Sequence, residues 1–372
     1  MRRLLLHAAA AGIALGLVLP VSAQQFDVKP LVTDSQAAHP AQITDPGLLN
    51  GWGISFAPTS PFWVSSNGAG TSVLYRVDPA TQATTKVSLT VAIPGAANPT
   101  GQVFNGGNAS GAFNGNLFLF ASEDGTVSGW RGALGTTAEP LVMASANYKG
   151  AAFATTPQGS YLYTANFDRG SIDVYKGTAA TPSLAGNFTD ATLPEGYAPF
   201  NVQNLGGTIY VAYAKKEAGE AEEVTGAGLG IVDRYDVNGT FLGRVATGGT
   251  LNAPWGLAIA PSSFGAWAGS LLVGNFGDGR INAYDRTTFA FLGQVTDSTG
   301  RPLAIDGLWA ITPGNDGGAG SSRLLYFSAG PDEETHGLFG VLVAVPEPST
   351  WAMLAGGLVL MAVWRTRRDA RG

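Results

Sequence analysis

Short strand-like segments recur about every 50 residues through the middle of this chain, and this repeat constrains the fold more than any other feature. Each copy begins with a short apolar run that follows a glycine or proline, as at residues 51–58 and 254–261. A pair of strand-like runs joined by a polar turn comes next, as at 62–77 and 161–175. Six copies of this pair are present, and a fourth run follows several of them.

Four strands per unit at this spacing are typical of a β-propeller blade. Six units therefore predict an all-β, six-bladed propeller with four-stranded blades over residues 24–345. The sixth unit lacks its own fourth strand, and the run from Phe26 to Val32 is expected to supply it, which would close the ring and remove an exposed edge. No long segment of this region has a 3.6-residue period, which disfavours helical folds. A pair of β-sandwiches is the alternative.

The N-terminus has the three-part layout of a secretory signal. Arg2 and Arg3 form a basic start, residues 4–19 are largely apolar, and small residues precede the expected cleavage point after Ala23. Residues 1–23 are therefore predicted to be a signal peptide for the general secretion route. The alternative is a buried N-terminal helix, but such a helix would show a polar face and this segment has none.

A second signal follows the last strand-like run. Pro346, Glu347 and Pro348 precede a 14-residue apolar stretch at 351–364, and a basic end follows at 365–371. As a helix the stretch would be about 21 Å long, shorter than a bilayer core of about 30 Å. A tryptophan at each end suits the membrane interface, and the arginines are expected to stay in the cytoplasm. Residues 346–372 are thus expected to contain a short transmembrane helix, with the preceding chain on the far side.

This tail resembles the PEP-CTERM sorting signal, which consists of a Pro-Glu-Pro motif, a short hydrophobic helix and a basic end. The resemblance implies that an exosortase recognises Pro346, Glu347 and Pro348 and processes the segment. It also implies a Gram-negative bacterium that makes exopolysaccharide. Signal peptidase and exosortase are then the partners during export, and the product is expected in the periplasm, at the cell surface or in the matrix after transient anchoring in the inner membrane. The alternative is a plain anchor that is never cut.

Composition excludes several functions. The chain has no cysteine, which excludes thiol catalysis, disulfides and thiolate metal sites. Without its two ends the chain has 15 basic and 25 acidic residues, a net charge of about −10. An acidic surface repels phosphate backbones, so nucleic acid is not expected as a partner. Only His39 and His336 remain after signal cleavage, so a three-histidine metal site is impossible.

The propeller hypothesis places one set of polar loops on a single face. These loops precede the first strand of each blade or join its second and third strands. Seven of their residues are candidate ligands for Ca²⁺, which prefers oxygen donors, or for a sugar: Asn67, Glu123, Asn166, Asp168, Asn275, Asp306 and Asp332. The alternative is that these Asn and Asp residues stand there because they cap turns and tolerate left-handed backbone. The glutamates at 217, 220, 222 and 223 are interpreted as part of a solvated insertion.

Residues 24–345 also look like a family of largely uncharacterised exported proteins with NHL-like propellers, on the stretch from Gly51 to Asp78 and on the blade rhythm. That resemblance implies a fold and no activity. No complete catalytic motif is present, which favours a non-catalytic protein that binds polysaccharide or a surface protein, in connection with exopolysaccharide or biofilm. The alternative is a calcium-dependent hydrolase such as a lactonase, because some six-bladed hydrolases hold a calcium ion on the face where these polar loops are expected. No cofactor other than calcium is expected.

Overall fold

The computed structural model describes residues 24–96, 98–345 and 356–357. The predicted signal peptide at 1–23 lies outside the described residues, as does nearly all of the predicted sorting segment at 346–372. Within the described residues, no helix combines the length and apolar character that a membrane span requires.

The described chain forms six sheets arranged as blades, whose blade strands pair antiparallel. Two strands precede the first blade: β1 (Gln25–Thr33) and β2 (Ile43–Thr44). β1 also makes short parallel pairs at its two ends. Blade 1 consists of β3 (Gly51–Ser55), β4 (Phe62–Ser66), β5 (Thr71–Val77) and β6 (Thr84–Ala92). Blade 2 consists of β7 (Pro99–Phe104), β8 (Phe118–Ser122), β9 (Thr126–Trp130) and β10 (Glu139–Met143). Blade 3 consists of β11 (Tyr148–Thr156), β12 (Gly159–Asn166) and β13 (Ser171–Lys176).

Blade 4 consists of β14 (Tyr197–Leu205), β15 (Thr208–Lys216), the short β16 (Glu223–Val224), β17 (Ile231–Asp236) and β18 (Phe241–Thr247). Blade 5 consists of β19 (Pro254–Ile259), β20 (Leu271–Asn275), β21 (Ile281–Tyr284) and β22 (Phe291–Gln294), and β23 (Thr296–Asp297) follows it. Blade 6 consists of β24 (Leu308–Pro313), β25 (Leu325–Ala329), β26 (Leu338–Ala344) and β1. Short 3-10 segments lie at Asn108–Ser110, Ala112–Gly115, Gly132–Leu134 and Ser262–Trp267.

The blades form a closed ring, which confirms the predicted six-bladed propeller. The first strand of each blade contacts the first strand of the next, and β24 of blade 6 contacts β3 of blade 1. The ring is closed as the sequence predicted, because β1 pairs antiparallel with β26 from Phe26 opposite Ala344 to Thr33 opposite Leu338. The N-terminal strand thus supplies the outer strand of blade 6.

Close approach of the inner strands explains two of the repeated glycines. A Cβ atom on Gly53 would overlap the carbonyl oxygen of Thr100, and one on Gly101 would overlap the backbone nitrogen of Ala151. Neighbouring blades therefore meet backbone to backbone at the axis. Apolar residues fill the spaces between blades, as where Phe62 and Tyr75 of blade 1 pack with Phe339 of blade 6.

Blade 3 departs from the predicted four strands, because the structure describes three strands for it. The segment after β13 bonds to the next blade instead: Gly186 and Phe188 donate their N–H groups to carbonyls of Asn238 and Gly239 in blade 4. The Phe188 ring is buried against Tyr163 and Tyr235. The stability gained by this apolar contact explains why the segment leaves its own sheet.

Candidate functional site

Aromatic side chains fill the ring axis at the end where the inner strands begin, which we call the mouth. Trp52 stacks on Trp309 with ring centroids 3.6 Å apart, and Trp255 meets both rings edge-on. Phe200 packs in the same cluster. Beneath this layer the axis retains a cavity of only about 20 Å³, about the space of one water molecule. The aromatic layer therefore closes the channel at the mouth, so a ligand at the mouth binds above it. A separate cavity of about 200 Å³ opens at the opposite end of the axis, where Phe56, Phe104 and Thr312 line it.

Lys149 lies in this layer and is fully buried. It precedes Gly150 as Trp52 precedes Gly53, so the repeat places a lysine where other blades place tryptophan. Its Nζ atom lies 2.6 Å from Glu123 Oε1, 2.8 Å from Glu222 Oε2 and 5.4 Å from the centroid of the Trp52 ring. Burial alone would lower the pKa of this ammonium, but the nearby glutamate charges outweigh burial and raise the pKa above its ordinary value.

Hydrogen bonds extend from this ion pair across the mouth. Asn67 Nδ2 donates to Glu123 Oε2 at 3.0 Å, and Asn50 Nδ2 donates to Asn67 Oδ1 at 3.4 Å. Asn50 Oδ1 in turn accepts the indole N–H of Trp309 at 2.8 Å. On the other side, Trp255 Nε1 donates to the Lys149 carbonyl at 2.8 Å. These contacts join groups of blades 1, 2, 3, 5 and 6. Glu222, from the insertion of blade 4, adds the sixth blade to the same network.

Two further carboxyl groups border this network. Burial raises the pKa of Glu223 to about 7, although the charge of Lys149 acts in the opposite direction. Its Oε2 atom is buried and has no hydrogen-bond partner. Burial also raises the pKa of Glu334, whose Oε2 accepts a hydrogen bond from Asn50. We call the residues Asn50, Asn67, Glu123, Lys149, Glu222, Glu223 and Glu334 the mouth cluster; it carries four carboxyl groups and one ammonium.

A strained loop carries Glu334 into the mouth cluster. Asp332, Glu333 and Glu334 have φ values of 54°, 55° and 65°, so three consecutive non-glycine residues are left-handed. Left-handed backbone costs such residues roughly 1–2 kcal/mol each. Strain of this kind persists where the surroundings over-determine the conformation, and it concentrates at functional sites. The contact between Glu334 and Asn50 is one such constraint.

The mouth cluster contains two of the seven predicted ligand residues, Asn67 and Glu123. Asn166 instead bonds Asp173 Oδ2 at 2.8 Å within blade 3, and Asn275 bonds Asp278 Oδ1 at 2.9 Å within its own turn. Asp168 pairs with Lys216 Nζ at 3.1 Å beside a surface cavity of about 340 Å³. Both asparagine side chains therefore make these hydrogen bonds to residues close to them in the chain.

Asp306 and Asp332 lie together at the rim of the mouth. Asp306 Oδ2 accepts the Asp332 N–H at 2.8 Å, and Asp332 Oδ2 lies 2.8 Å from His39 Nε2. The second histidine, His336, lies with its Nδ1 2.8 Å from Asp34 Oδ2, and this hydrogen bond raises its pKa. The centroids of the His39 and His336 rings are 5.6 Å apart. Both histidines thus tie the loop of blade 6 to the N-terminal segment.

Sequence reasoning missed Lys149 and Asn50. It placed Glu334 on this face beside Asp332 but left it out of the seven candidate ligands, and it placed Glu222 and Glu223 in a solvated insertion. Glu222 is exposed but reaches Lys149, and Glu223 turns a carboxyl oxygen into the protein. One signal was available: a lysine stands directly before Gly150, at the start of an inner strand. Within residues 24–96 and 98–345, no group of three or more His, Asp or Glu side chains is arranged to hold a metal ion.

The fold and the C-terminal sequence define the class of protein. Residues 344–368 match the model of the PEP-CTERM protein-sorting motif, which confirms the resemblance of the tail. The protein is therefore a six-bladed β-propeller with a sorting motif that suggests export to the cell envelope or surface and supports exosortase as a partner.

Similarity to known proteins places the chain in a family. It is 32% identical to the uncharacterised protein R648 of Acanthamoeba polyphaga mimivirus over 322 residues, which cover 82% of this chain and 76% of that protein. It is also 32% identical to the uncharacterised protein L690 of the same virus, over 80% of this chain and 81% of that protein. The chain belongs to the family of these uncharacterised proteins.

Among solved structures, the chain is similar to the WD40 β-propeller domain of Doa1. The TM-score is 0.45 and the sequence identity is 12%, over 81% of this chain and 94% of that domain.

Proposed function

We propose that this protein is an exported, non-catalytic binding propeller that holds a polysaccharide of the cell surface or matrix at its mouth. The observation that carries this proposal is the mouth cluster, where Asn67, Glu123 and Lys149 from three blades are joined by hydrogen bonds at the aromatic layer that closes the channel. Carboxylates and amides are suited to sugar hydroxyls, since hydrogen bonds to charged acceptors are stronger than neutral ones. The kinship with NHL-like propellers and the link to biofilm belong to this proposal.

The net charge of the mouth cluster limits which class of polysaccharide can bind there. Its four carboxyl groups face one ammonium, so the cluster stays anionic even when Glu223 is protonated. An acidic polymer would be repelled. A neutral or amino-sugar polysaccharide is therefore the class that fits. Glu222, whose side chain is 69% exposed, is the member of the ion pair that a ligand reaches from solvent.

The test is binding of the purified protein to exopolysaccharide from the producing bacterium. Glu222→Gln should weaken binding by about tenfold, which is the loss of about 1.4 kcal/mol from one charge-assisted contact. Glu220→Gln is the matched control, because it makes the same charge change at an exposed position of the same insertion. No retention of the polymer, or equal retention by both variants, would count against the mouth as the binding site.

A calcium-dependent hydrolase is the second candidate, and Glu223 is the observation that favours it. A carboxyl group with a pKa of about 7 can donate or accept a proton at neutral pH, as general acid–base catalysis requires. A calcium ion would need the carboxylates of the mouth to regroup. Elemental analysis before and after dialysis against chelator decides between the two. One tightly held calcium per chain together with chelator-sensitive lactone or ester hydrolysis would favour the hydrolase, and the lack of both would exclude it.

A further inference from the structure

The last strand of the propeller ends on the side opposite the mouth. β26 runs from Leu338, which pairs with Ala329 next to the mouth, to Ala344, about 20 Å away at about 3.3 Å per residue. Val345 is held there, because its N–H donates to the Gln25 carbonyl at 2.8 Å and its carbonyl accepts Gln24 Nε2 at 2.6 Å. The sorting segment therefore emerges at the end of the strand opposite the mouth.

Blade 5 presents aromatic and aliphatic side chains beside this exit. Phe26 of β1 packs on Phe264 of the Ser262–Trp267 segment with ring centroids 4.4 Å apart. Trp267 of that segment and Ala344 pack against the same core cluster. Trp267 also lies against the backbone of Gly293, next to Leu292 in the outer strand of blade 5. Apolar contacts therefore run continuously from the chain exit to the outer strand of blade 5.

The outer strand of blade 5 leaves large apolar side chains in solvent. Phe291 is 49% exposed and Leu292 is 39% exposed. We call Trp267, Phe291 and Leu292 the blade 5 flank. Trp267 and Leu292 border a cavity of about 460 Å³, which two arginines, Arg234 and Arg286, and one carboxylate, Asp285, also line. Clustered exposed apolar residues mark interaction surfaces, and a tryptophan with neighbouring arginines suits the boundary between acyl chains and anionic headgroups.

From this geometry we infer that the blade 5 flank rests on the lipid surface while the sorting segment is held in the membrane. The 27 residues after Val345 carry the sorting motif and leave the protein beside this flank, so a membrane that holds them must come close to it. The mouth then points away from the membrane, toward its ligand. This inference rests on the proposed export and membrane handling of the tail.

The test uses the full chain reconstituted in vesicles of phosphatidylcholine and phosphatidylglycerol. Because the chain has no cysteine, Leu292→Cys introduces a single site for a fluorescent label. Met143→Cys is the matched control: it is 78% exposed in β10, the outer strand of blade 2, across the ring from blade 5. Fluorescence is quenched by lipids that carry a nitroxide on the acyl chain, and only protein that floats with vesicles is measured.

We expect at least twofold stronger quenching of the label at 292 than at 143. Equal quenching at both positions, or none at 292 in floated protein, would overturn the inference. Shielding of the label at 292 from a water-soluble quencher that increases with protein concentration at a fixed detergent concentration would point to a second copy of the chain and would also overturn it. Failure of the protein to float at all would instead refute the membrane handling of the tail, so the two failures are distinguishable.

Discussion

The ammonium of Lys149 lies 2.6 Å from a carboxylate oxygen of Glu123, and the lysine side chain is completely buried while the glutamate is 23% exposed. A buried lysine is stable only with such partners, because an isolated ammonium in the protein interior would lose its proton. The pair therefore has to form as blades 2 and 3 come together, and it links the folding of the ring to the assembly of the mouth.

Replacing Lys149 by Met should destabilise the protein by about 2–3 kcal/mol. Removing one partner of a fully buried ion pair costs about 3–5 kcal/mol. The cost is expected to be lower here, because water can hydrate the exposed carboxylate of Glu222 once the ammonium is gone. The free energy of unfolding in urea is the measurement. Lys216→Met is the control and should cost at most about 1 kcal/mol, because its partner Asp168 is 48% exposed. Equal losses in both variants would contradict the role given to Lys149.

Glu223 should make the protein less stable as the pH rises. Its pKa is about 7 in the folded protein and about 4.3 in an unfolded chain. A raised folded-state pKa contributes stability below the unfolded value and loses it as the pH rises through the folded value, here between about pH 4.5 and 7.5. The loss should reach up to about 3 kcal/mol.

The neutral variant Glu223→Gln isolates this effect. Its stability should fall less than that of the unchanged protein between pH 4.5 and 7.5, and it should be the more stable of the two at pH 8. Asp233, whose pKa burial raises to about 6, contributes in an overlapping window but equally in both proteins. Parallel stability curves from thermal or urea unfolding would show that Glu223 ionises normally.

Gly101→Ala should destabilise the propeller by more than about 2 kcal/mol, because the added methyl group meets the backbone of blade 3, which cannot move without disturbing the ring. Gly132→Ala makes the same change in open space and at an ordinary backbone angle, so it should be neutral or slightly stabilising. The midpoint of thermal unfolding checks both variants. A neutral Gly101→Ala would mean that the inner strands are farther apart than described.

Phe26→Ala should test the closure of the ring. Phe26 is 1% exposed and packs on Phe264, so its loss should cost about 3–5 kcal/mol. Hydrogen exchange should also accelerate in β1 and β26, which would lose their shared edge. Phe291→Ala, a change of the same size at a 49% exposed site, should cost less than about 1 kcal/mol. Unchanged exchange in β26 would contradict the closure.

Replacing Pro346, Glu347 and Pro348 together by alanine should prevent processing of the tail, because these residues are the ones that the sorting motif implies for recognition. The variant should accumulate as a full-length chain in the membrane fraction, and intact mass measurement is the readout. Processing of the variant at the normal rate would contradict recognition through these residues. A full-length chain in both proteins would favour the plain anchor.

The sequence predicted more of the fold than of the site. The blade rhythm depends on residues that are close in the chain, such as the apolar pair of strands around 62–77, and local patterns of this kind reveal strands and turns directly. Even the closure by residues 26–32 followed from counting strands. The site residues Asn166 and Asn275 were chosen by the same local pattern, and their contacts are local too.

The amino-acid sequence by itself determined that the chain is an all-β ring of six repeats with a sorting motif after its last strand. The spacing of the repeats, the turn residues and the terminal motifs are all patterns of residues that are close together in the chain. Only the tertiary structure decided that Glu123 and Glu222, which are 99 residues apart, would both pair with the buried ammonium of Lys149. Ion pairing and burial depend on distances across blades, and those distances exist only once the ring has closed.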